Sequence, residues 1–224
     1  MRLDLKEAPS ILWFGKTNLS VVALGRCPYQ RGWDIQKELF EKRIEQKIPN
    51  ILILCEHPPT ITLGRGAFRE HLLISEEELK REGGSLFTTD RGGEITYHGP
   101  GQLVGYPIID LKEYRMDLHW YLRQLEEVLI LVVAHFGLKG ERVKNVTGVW
   151  VNGEKIASIG IKTRSWVTMH GFSLNVDPNL EHFGWIVPCG ISDRGVTSMG
   201  RLCKRVPSIE EVSQKVVWAF GQVL

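Results

Sequence analysis

The sequence predicts an α+β fold, a mixed β-sheet with flanking helices, and three observations predict it. Strand-length apolar runs and helical stretches are interspersed without strict βαβ alternation. Asn152-Gly153, a dipeptide suited to a type I′ turn, joins two strand-like runs into a hairpin. With 224 residues, 43% of them hydrophobic, the chain can bury one good core and is short for two. One domain over residues 1–224 is therefore expected.

The expected strands are Ile11 to Phe14, Ser20 to Leu24, Ile51 to Cys55, Ile61 to Leu63, Leu103 to Ile109 and Gly148 to Val151, most of them bounded by Gly, Pro or Asn. Helical periodicity runs from about Trp33 to Ile48 and from Asp117 to Phe136, with Asp117 as N-cap and Gly137 just past the end. Capping boxes open two further helices, Ser75 with Glu78 and Ser208 with Glu211. The region from Gly92 to Gly105 is too glycine-dense for an ordinary strand pair. No internal repeat or linker is apparent.

Charge is nearly balanced, 28 Lys+Arg against 26 Asp+Glu, which gives no sign of nucleic acid binding. No apolar run is long enough to span a membrane, and Asp4 and Glu7 interrupt the stretch where a signal peptide would be apolar. A cytoplasmic, soluble protein is expected. The four cysteines, Cys27, Cys55, Cys189 and Cys203, show no C-x-x-C spacing, and the histidines show no H-E-x-x-H pairing. Neither a disulfide framework nor a metal site is expected.

Three constellations could carry chemistry. In the hairpin strand Glu154 to Lys162, regular alternation puts Lys155 on one face with Ala157, Ile159 and Ile161. Lys162 then falls on the other face with Ser158 and Gly160. Only Lys155 is thus expected against an apolar surface. In Ile186-Val187-Pro188-Cys189-Gly190-Ile191, Pro188 and Gly190 fix an irregular backbone able to present a thiol. Cys203, in Arg201-Leu202-Cys203-Lys204-Arg205, is the rival, since nearby cations favour a thiolate; Cys55 and Cys27 read as core. On the residues alone both Cys189 and Cys203 stay open. Third, Arg91-Gly92-Gly93-Glu94-Ile95-Thr96-Tyr97-His98-Gly99-Pro100-Gly101-Gln102-Leu103-Val104-Gly105-Tyr106 is dense enough in glycine to let backbone N–H groups approach a ligand, and it is not a P-loop.

That last stretch resembles the signature of the octanoyl-acyl carrier protein:protein octanoyltransferases of lipoate biosynthesis. Lys155-Ile156-Ala157-Ser158-Ile159-Gly160, His170-Gly171-Phe172-Ser173-Leu174-Asn175 and Ile186 to Ile191 are similar to three further segments of that family, and the likeness runs from about Asn50 to Met199. The resemblance implies a biotin/lipoyl protein ligase-like catalytic domain with Cys189 as nucleophile and Lys155 as its acid/base partner. It implies substrate contacts from Arg91, Gly92, Gly93, Glu94, Ile95, Thr96, Tyr97 and His98, from Ser158, Ile159 and Gly160, and from Gly171, Phe172 and Ser173. It implies no metal and no cofactor, the acyl group arriving on the phosphopantetheine of acyl carrier protein. The implied partners are octanoyl-acyl carrier protein and the lipoyl domains of 2-oxoacid dehydrogenase complexes and of the glycine cleavage H protein, met by a monomer.

Such a reaction makes physical demands. A free cysteine with pKa near 8.5 is only about 3% thiolate at pH 7. A cation about 4 Å away contributes up to roughly 4 kcal/mol to the thiolate at an effective dielectric near 20. The oxyanion needs N–H donors, for which the backbone around Cys189 and Gly92 and Gly93 are candidates. The acyl chain needs an apolar tunnel, for which Ile159 and Phe172 are candidates. Three other readings compete: an ATP-dependent lipoate or biotin ligase, a hydrolase pairing Cys189 with His98 or His170, and a non-catalytic acyl-binding module.

Overall fold

The computed structural model describes residues 11–13, 19–187 and 195–224. Cys189 lies outside the described residues, as does Phe14 of the first expected strand. The chain lays down strands β1 (Ile11–Trp13) and β2 (Leu19–Arg26), helix α1 (Tyr29–Ile44), and strands β3 (Asn50–Glu56) and β4 (Thr60–Leu63). Helix α2 (Glu76–Arg81), strands β5 (Ser85–Thr88), β6 (Ile95–His98) and β7 (Gln102–Ile108), and helix α3 (Leu118–His135) follow. Strands β8 (Glu141–Val143), β9 (Val146–Val151), β10 (Glu154–Arg164) and β11 (Val167–Asn175) lead to helices α4 (Met199–Leu202) and α5 (Ile209–Val223).

Eight strands form one sheet in the order β1-β2-β3-β7-β11-β10-β9-β8, with β2 and β3 parallel and the other neighbours antiparallel. A second sheet of three strands runs β5-β4-β6. Strand β3 shows why the large sheet is covered on both faces. Its Leu52 and Leu54 pack against α3 and α5 with Val128, Leu129, Val132, Val216 and Phe220, whereas Ile51, Ile53 and Cys55 pack against α1 with Ile35, Leu39 and Phe40. A strand buried on both sides reads as a continuous apolar run, which is how Ile51 to Cys55 looks in sequence. A third core, with Ile61, Leu63, Leu79, Ile95 and Tyr97, fills the space between the small sheet and α2.

Local signals set the helix starts. Asp117 accepts from the Trp120 N–H, and both capping boxes form, Ser75 with Glu78 and Ser208 with Glu211. Asn152 and Gly153 take the positive φ values, 52° and 81°, that a type I′ hairpin requires. The glycine-dense stretch contains two strands that are not a pair: β6 joins β4 in the small sheet, and β7 joins β3 and β11 in the large one. The turn between them has Gly101 at φ 84°, where a Cβ would sit 2.2 Å from the Asp177 carbonyl oxygen. No helix among the described residues is long and apolar enough to cross a membrane.

One buried carboxylate ties α3 to the strands beside the site. Glu126 is fully buried, pairs with Arg123, accepts from Arg142 Nε at 3.0 Å and accepts the Gly148 N–H of β9 at 3.1 Å. Removing its charge leaves guanidinium donors facing an amide, which typically costs about 1–3 kcal/mol. Glu126→Gln is therefore expected to lower the unfolding free energy by that amount, read as a lower denaturant midpoint at unchanged m-value; an unaltered midpoint would show that the carboxylate is not needed to hold β9.

Candidate active site

The glycine-rich loop is fixed by its own arginine. Arg91 is 8% exposed, and its guanidinium donates to Thr62 Oγ1, to the Thr62 carbonyl at 2.8 Å, to the Glu94 carbonyl at 2.8 Å and to the Gly92 carbonyl at 3.1 Å. Backbone bonds from Gly64 to Glu94, Arg65 to Arg91 and Gly66 to Gly93 close the same loop against the end of β4. The Gly92 N–H donates to the Ile161 carbonyl of β10 at 2.8 Å, joining the loop to the large sheet. That donor is already used, so Gly92 drops out as an oxyanion donor. Of the two glycines only Gly93, at φ 83°, stays a candidate.

Strand β10 departs from the alternation expected for it. Lys155 is paired with Trp150 and Ala157 with Val149, so Ile156 is an extra residue, a β-bulge. Directly paired residues point to the same face. Val149, Ile156 and Ala157 lie in the core under α3 and α5, and Ile159 and Ile161 pack against that core. Lys155, with Trp150, therefore points the opposite way. The expectation that Lys155 shares a face with Ala157, Ile159 and Ile161, away from Lys162, is corrected: the bulge puts Lys155 on the face of Ser158, Gly160 and Lys162. What separates the two lysines is their surroundings. Lys162 is half-buried and bonded to Asp90 at 2.5 Å, whereas Lys155 is 7% exposed, stands in a pocket wall and has its Nζ 5.3 Å from the Trp150 ring centre. Gly148 makes room for it, since a Cβ there would meet Lys155 Cε at 2.8 Å.

The pocket is a cavity of about 460 Å³ where the two sheets meet, a size ordinary for a small-molecule site. It brings together Arg91, Gly92, Gly93, Glu94, Ile95, Thr96 and His98 of the loop and β6 with Lys155, Ser158, Ile159 and Gly160 of β10 and Gly171, Phe172 and Ser173 of β11. Tyr97 is not in the wall. It points into the third core, bonded to His182 at 2.7 Å, as alternation along β6 requires. The sequence reading missed Tyr29, Leu122 and Asn145 in the wall, which come from segments outside the quoted motifs.

Two histidines in the wall are held by partners. His98 bonds through Nδ1 to Gln102 Oε1 at 2.7 Å, and Gln102 Nε2 donates to Asn175 Oδ1 at 2.8 Å. Burial above all pushes the His98 pKa down from 6.5 to about 3, so it is neutral at physiological pH. His170, in the left-handed region at φ 60°, bonds through Nε2 to Asp90 Oδ1 at 2.8 Å. Its pKa is lowered, burial outweighing the carboxylate; Asp90 is held well below the usual carboxylate range by His170 first and by Lys162.

Of the cysteines, Cys27 and Cys55 are buried, as expected of core. Cys203 is half-buried, its S–H directed at the Phe136 carbonyl, and burial raises its pKa. The expectation that its basic neighbours favour a thiolate is thereby corrected. Cys189 lies outside the described residues, and the backbone on either side of that segment is tied down. The Val187 N–H donates to the His71 carbonyl at 2.8 Å; beyond it, the Lys155 N–H donates to the Gly195 carbonyl at 2.9 Å and the Thr197 N–H to the Lys155 carbonyl at 3.0 Å.

Residues 28–221 match the family model described as the lipoyl protein ligase A/B catalytic domain. The chain belongs to this family. Among its relatives, an octanoyltransferase from Gloeobacter violaceus is 52% identical over 89% of this chain and 91% of its own length, and one from Caldicellulosiruptor bescii is 49% identical over 92% and 91%. Solved structures share the fold: a bi-partite lipoate protein ligase from Thermoplasma acidophilum superposes with TM-score 0.69 at 18% identity, covering 92% of this chain and 82% of its own. A lipoate-protein ligase A bound with ATP superposes with TM-score 0.72 at 16% identity, covering 92% and 84%. The family's expected α+β architecture is thus the one observed.

His98 gives a pH dependence whose sign is fixed. The unfolded chain protonates this imidazole near 6.5 and the folded chain only near 3, so the unfolded state binds more protons in between and stability falls as pH drops through that window. His98→Asn is expected to flatten this limb of the stability profile, read from denaturant midpoints; an unchanged slope would mean that His98 is charged in the fold.

Proposed function

We propose that the chain is an octanoyltransferase of protein lipoylation. In this reading Cys189 carries the octanoyl group as a thioester between octanoyl-acyl carrier protein and a lysine of a lipoyl domain, and Lys155 serves as acid and base. One observation carries it. Lys155 is buried in the wall of the pocket, and its own backbone pairs with Gly195–Thr197, the strand-like stretch that follows the segment containing Cys189. Phe183 and Val196, one on each side of that segment, also border the pocket. Relatives about half identical over nine-tenths of the chain are named octanoyltransferases, which supports the same reaction here.

In the first half-reaction the Cys189 thiolate attacks the thioester carbonyl, and the phosphopantetheine thiolate leaves, taking a proton from the Lys155 ammonium. In the second, the acceptor lysine attacks the acyl-Cys189 carbonyl, its proton passes to the Lys155 amine, and the Cys189 thiolate is released. The acceptor attacks as the free amine, its ammonium proton having gone to solvent, so the cycle restores the Lys155 ammonium and the Cys189 thiolate with one net proton released. The alternative nucleophile is disfavoured by Cys203's raised pKa, and a hydrolase using His98 as base is disfavoured by an imidazole that protonates only near pH 3. No cofactor is required. The octanoyl chain offers seven methylene or methyl groups, worth roughly 5–6 kcal/mol at about 0.8 kcal/mol each when buried; Ile159 and Phe172 of the wall are proposed to cover them.

Incubation with octanoyl-acyl carrier protein should add one octanoyl mass to the intact protein. Cys189→Ala should abolish the adduct and Cys203→Ala should leave it; an adduct surviving in the Cys189→Ala protein would overturn the assignment.

Lys155→Met is expected to slow single-turnover transfer to a lipoyl domain by at least about a hundredfold, the usual scale for a general base, and to raise the pKa of thiol alkylation. Lys162→Met, which breaks the pair with Asp90, is expected to change either by less than about threefold. The reverse order of effects would remove Lys155 from the mechanism.

A further inference from the structure

The parallel pairing of β2 with β3 brings Cys27, which follows β2, beside Cys55 and His57 at the end of β3. The three are buried, at 4%, 3% and 0% exposure, and one ligand atom from each lies within 4.8 Å of the others. The imidazole is oriented: His57 Nδ1 donates to the Cys27 carbonyl at 2.8 Å, so the lone pair is on Nε2. Metal-binding histidines are commonly held by a backbone carbonyl in this way. The Cys55 Sγ–His57 Nε2 distance is 3.5 Å. Zn–S of about 2.3 Å and Zn–N of about 2.0–2.1 Å at the tetrahedral angle put sulfur and nitrogen about 3.5 Å apart. Gly32 in α1 adds a further sign of a fitted site. A Cβ there would lie 3.0 Å from His57 Cε1 and 3.7 Å from Cys27 Sγ.

We propose that Cys27, Cys55 and His57 form a binding site for a thiophilic divalent cation of the Zn²⁺ type, and that its occupation alters the wall of the active-site pocket through Tyr106. Binding takes both sulfurs as thiolates, any proton still on them passing to solvent, and takes the Nε2 lone pair. That lone pair now accepts the Tyr106 hydroxyl at 2.7 Å, so the metal and the hydroxyl compete for it. Tyr106 lines the pocket, as do Tyr29 and His98, whose rings lie 5.2 Å and 6.1 Å from that of His57. The metal is not part of the acyl transfer; its entry displaces a wall residue and lowers turnover. This last consequence rests on the proposed function, whereas the binding itself does not.

The test uses the full chain carrying Cys189→Ser and Cys203→Ser, which keeps only the two thiols in question, titrated anaerobically with Co²⁺. One ion per chain is expected, with the visible bands of tetrahedral cobalt and a thiolate charge-transfer band, bleached by Zn²⁺. Cys27→Ser in that background should abolish the charge-transfer band or reduce it by about half. Because that variant can fail to fold, Tyr106→Phe is the second arm: it removes the competitor for Nε2 and should bind cobalt at least threefold more tightly. Absence of a tetrahedral spectrum, the full band persisting in folded Cys27→Ser protein, or unchanged affinity in Tyr106→Phe would each overturn the site. Octanoyl transfer by the otherwise unmodified enzyme should fall on adding Zn²⁺, and Cys27→Ser should relieve the inhibition. Inhibition unaffected by Cys27→Ser would overturn the link to the pocket while leaving the acyl-transfer assignment intact.

Discussion

The site depends on one extra residue in β10. If Lys155 continued the regular alternation with Ala157, Ile159 and Ile161, its ammonium would enter the core under α3 and α5, where an uncompensated charge is costly. The bulge at Ile156 lets Ile156 and Ala157 both enter that core while Lys155 turns to the opposite face. The register change also explains Gly148 on β9. A lysine stem leaving the bulge passes over this position, and the absence of a Cβ there, at φ 135°, is what permits it.

A second constraint follows from the two-sheet architecture. The glycine-rich loop belongs to the small sheet through Arg91 and Thr62, yet its Gly92 is bonded to β10 of the large one. Gly160 has no side chain because a Cβ there would lie 2.8 Å from the Gly92 carbonyl oxygen. Loop and lysine strand are thus one rigid wall, and the backbone donor spent on holding them together is unavailable to a substrate. On the proposed function, the oxyanion is then left to Gly93 and to backbone near Cys189.

How much of this is legible in the sequence depends on the range of the interaction. Caps at Ser75, Asp117 and Ser208 and the turn at Asn152-Gly153 are set within four residues, and each forms as expected. Strand β11 escapes a reading by apolar runs or alternation because it is buried on both faces with His170 and Gly171 interrupting its apolar run. The bulge also leaves no local mark, since Lys155-Ile156-Ala157 would suit a regular strand; only the registry with β9 reveals it. The Cys27, Cys55 and His57 cluster is of the same kind. No spacing rule joins Cys27 to the other two, and only parallel pairing of β2 with β3 does.

On the proposed function, apolar burial of the octanoyl chain is the same in the donor complex, the transition state and the acyl-enzyme. Binding of that uniform kind improves capture of the substrate and leaves the barrier from the bound state where it was. On that reading acceleration must come from groups whose interaction changes as charge moves, for which the proposed candidates are Lys155 as acid and base and backbone N–H groups near Gly93 and Cys189. The apolar part of the wall can therefore vary with the acyl group carried, whereas the bulge, Gly148 and the loop bond to Ile161 are tied to the position of Lys155 and cannot change independently of it.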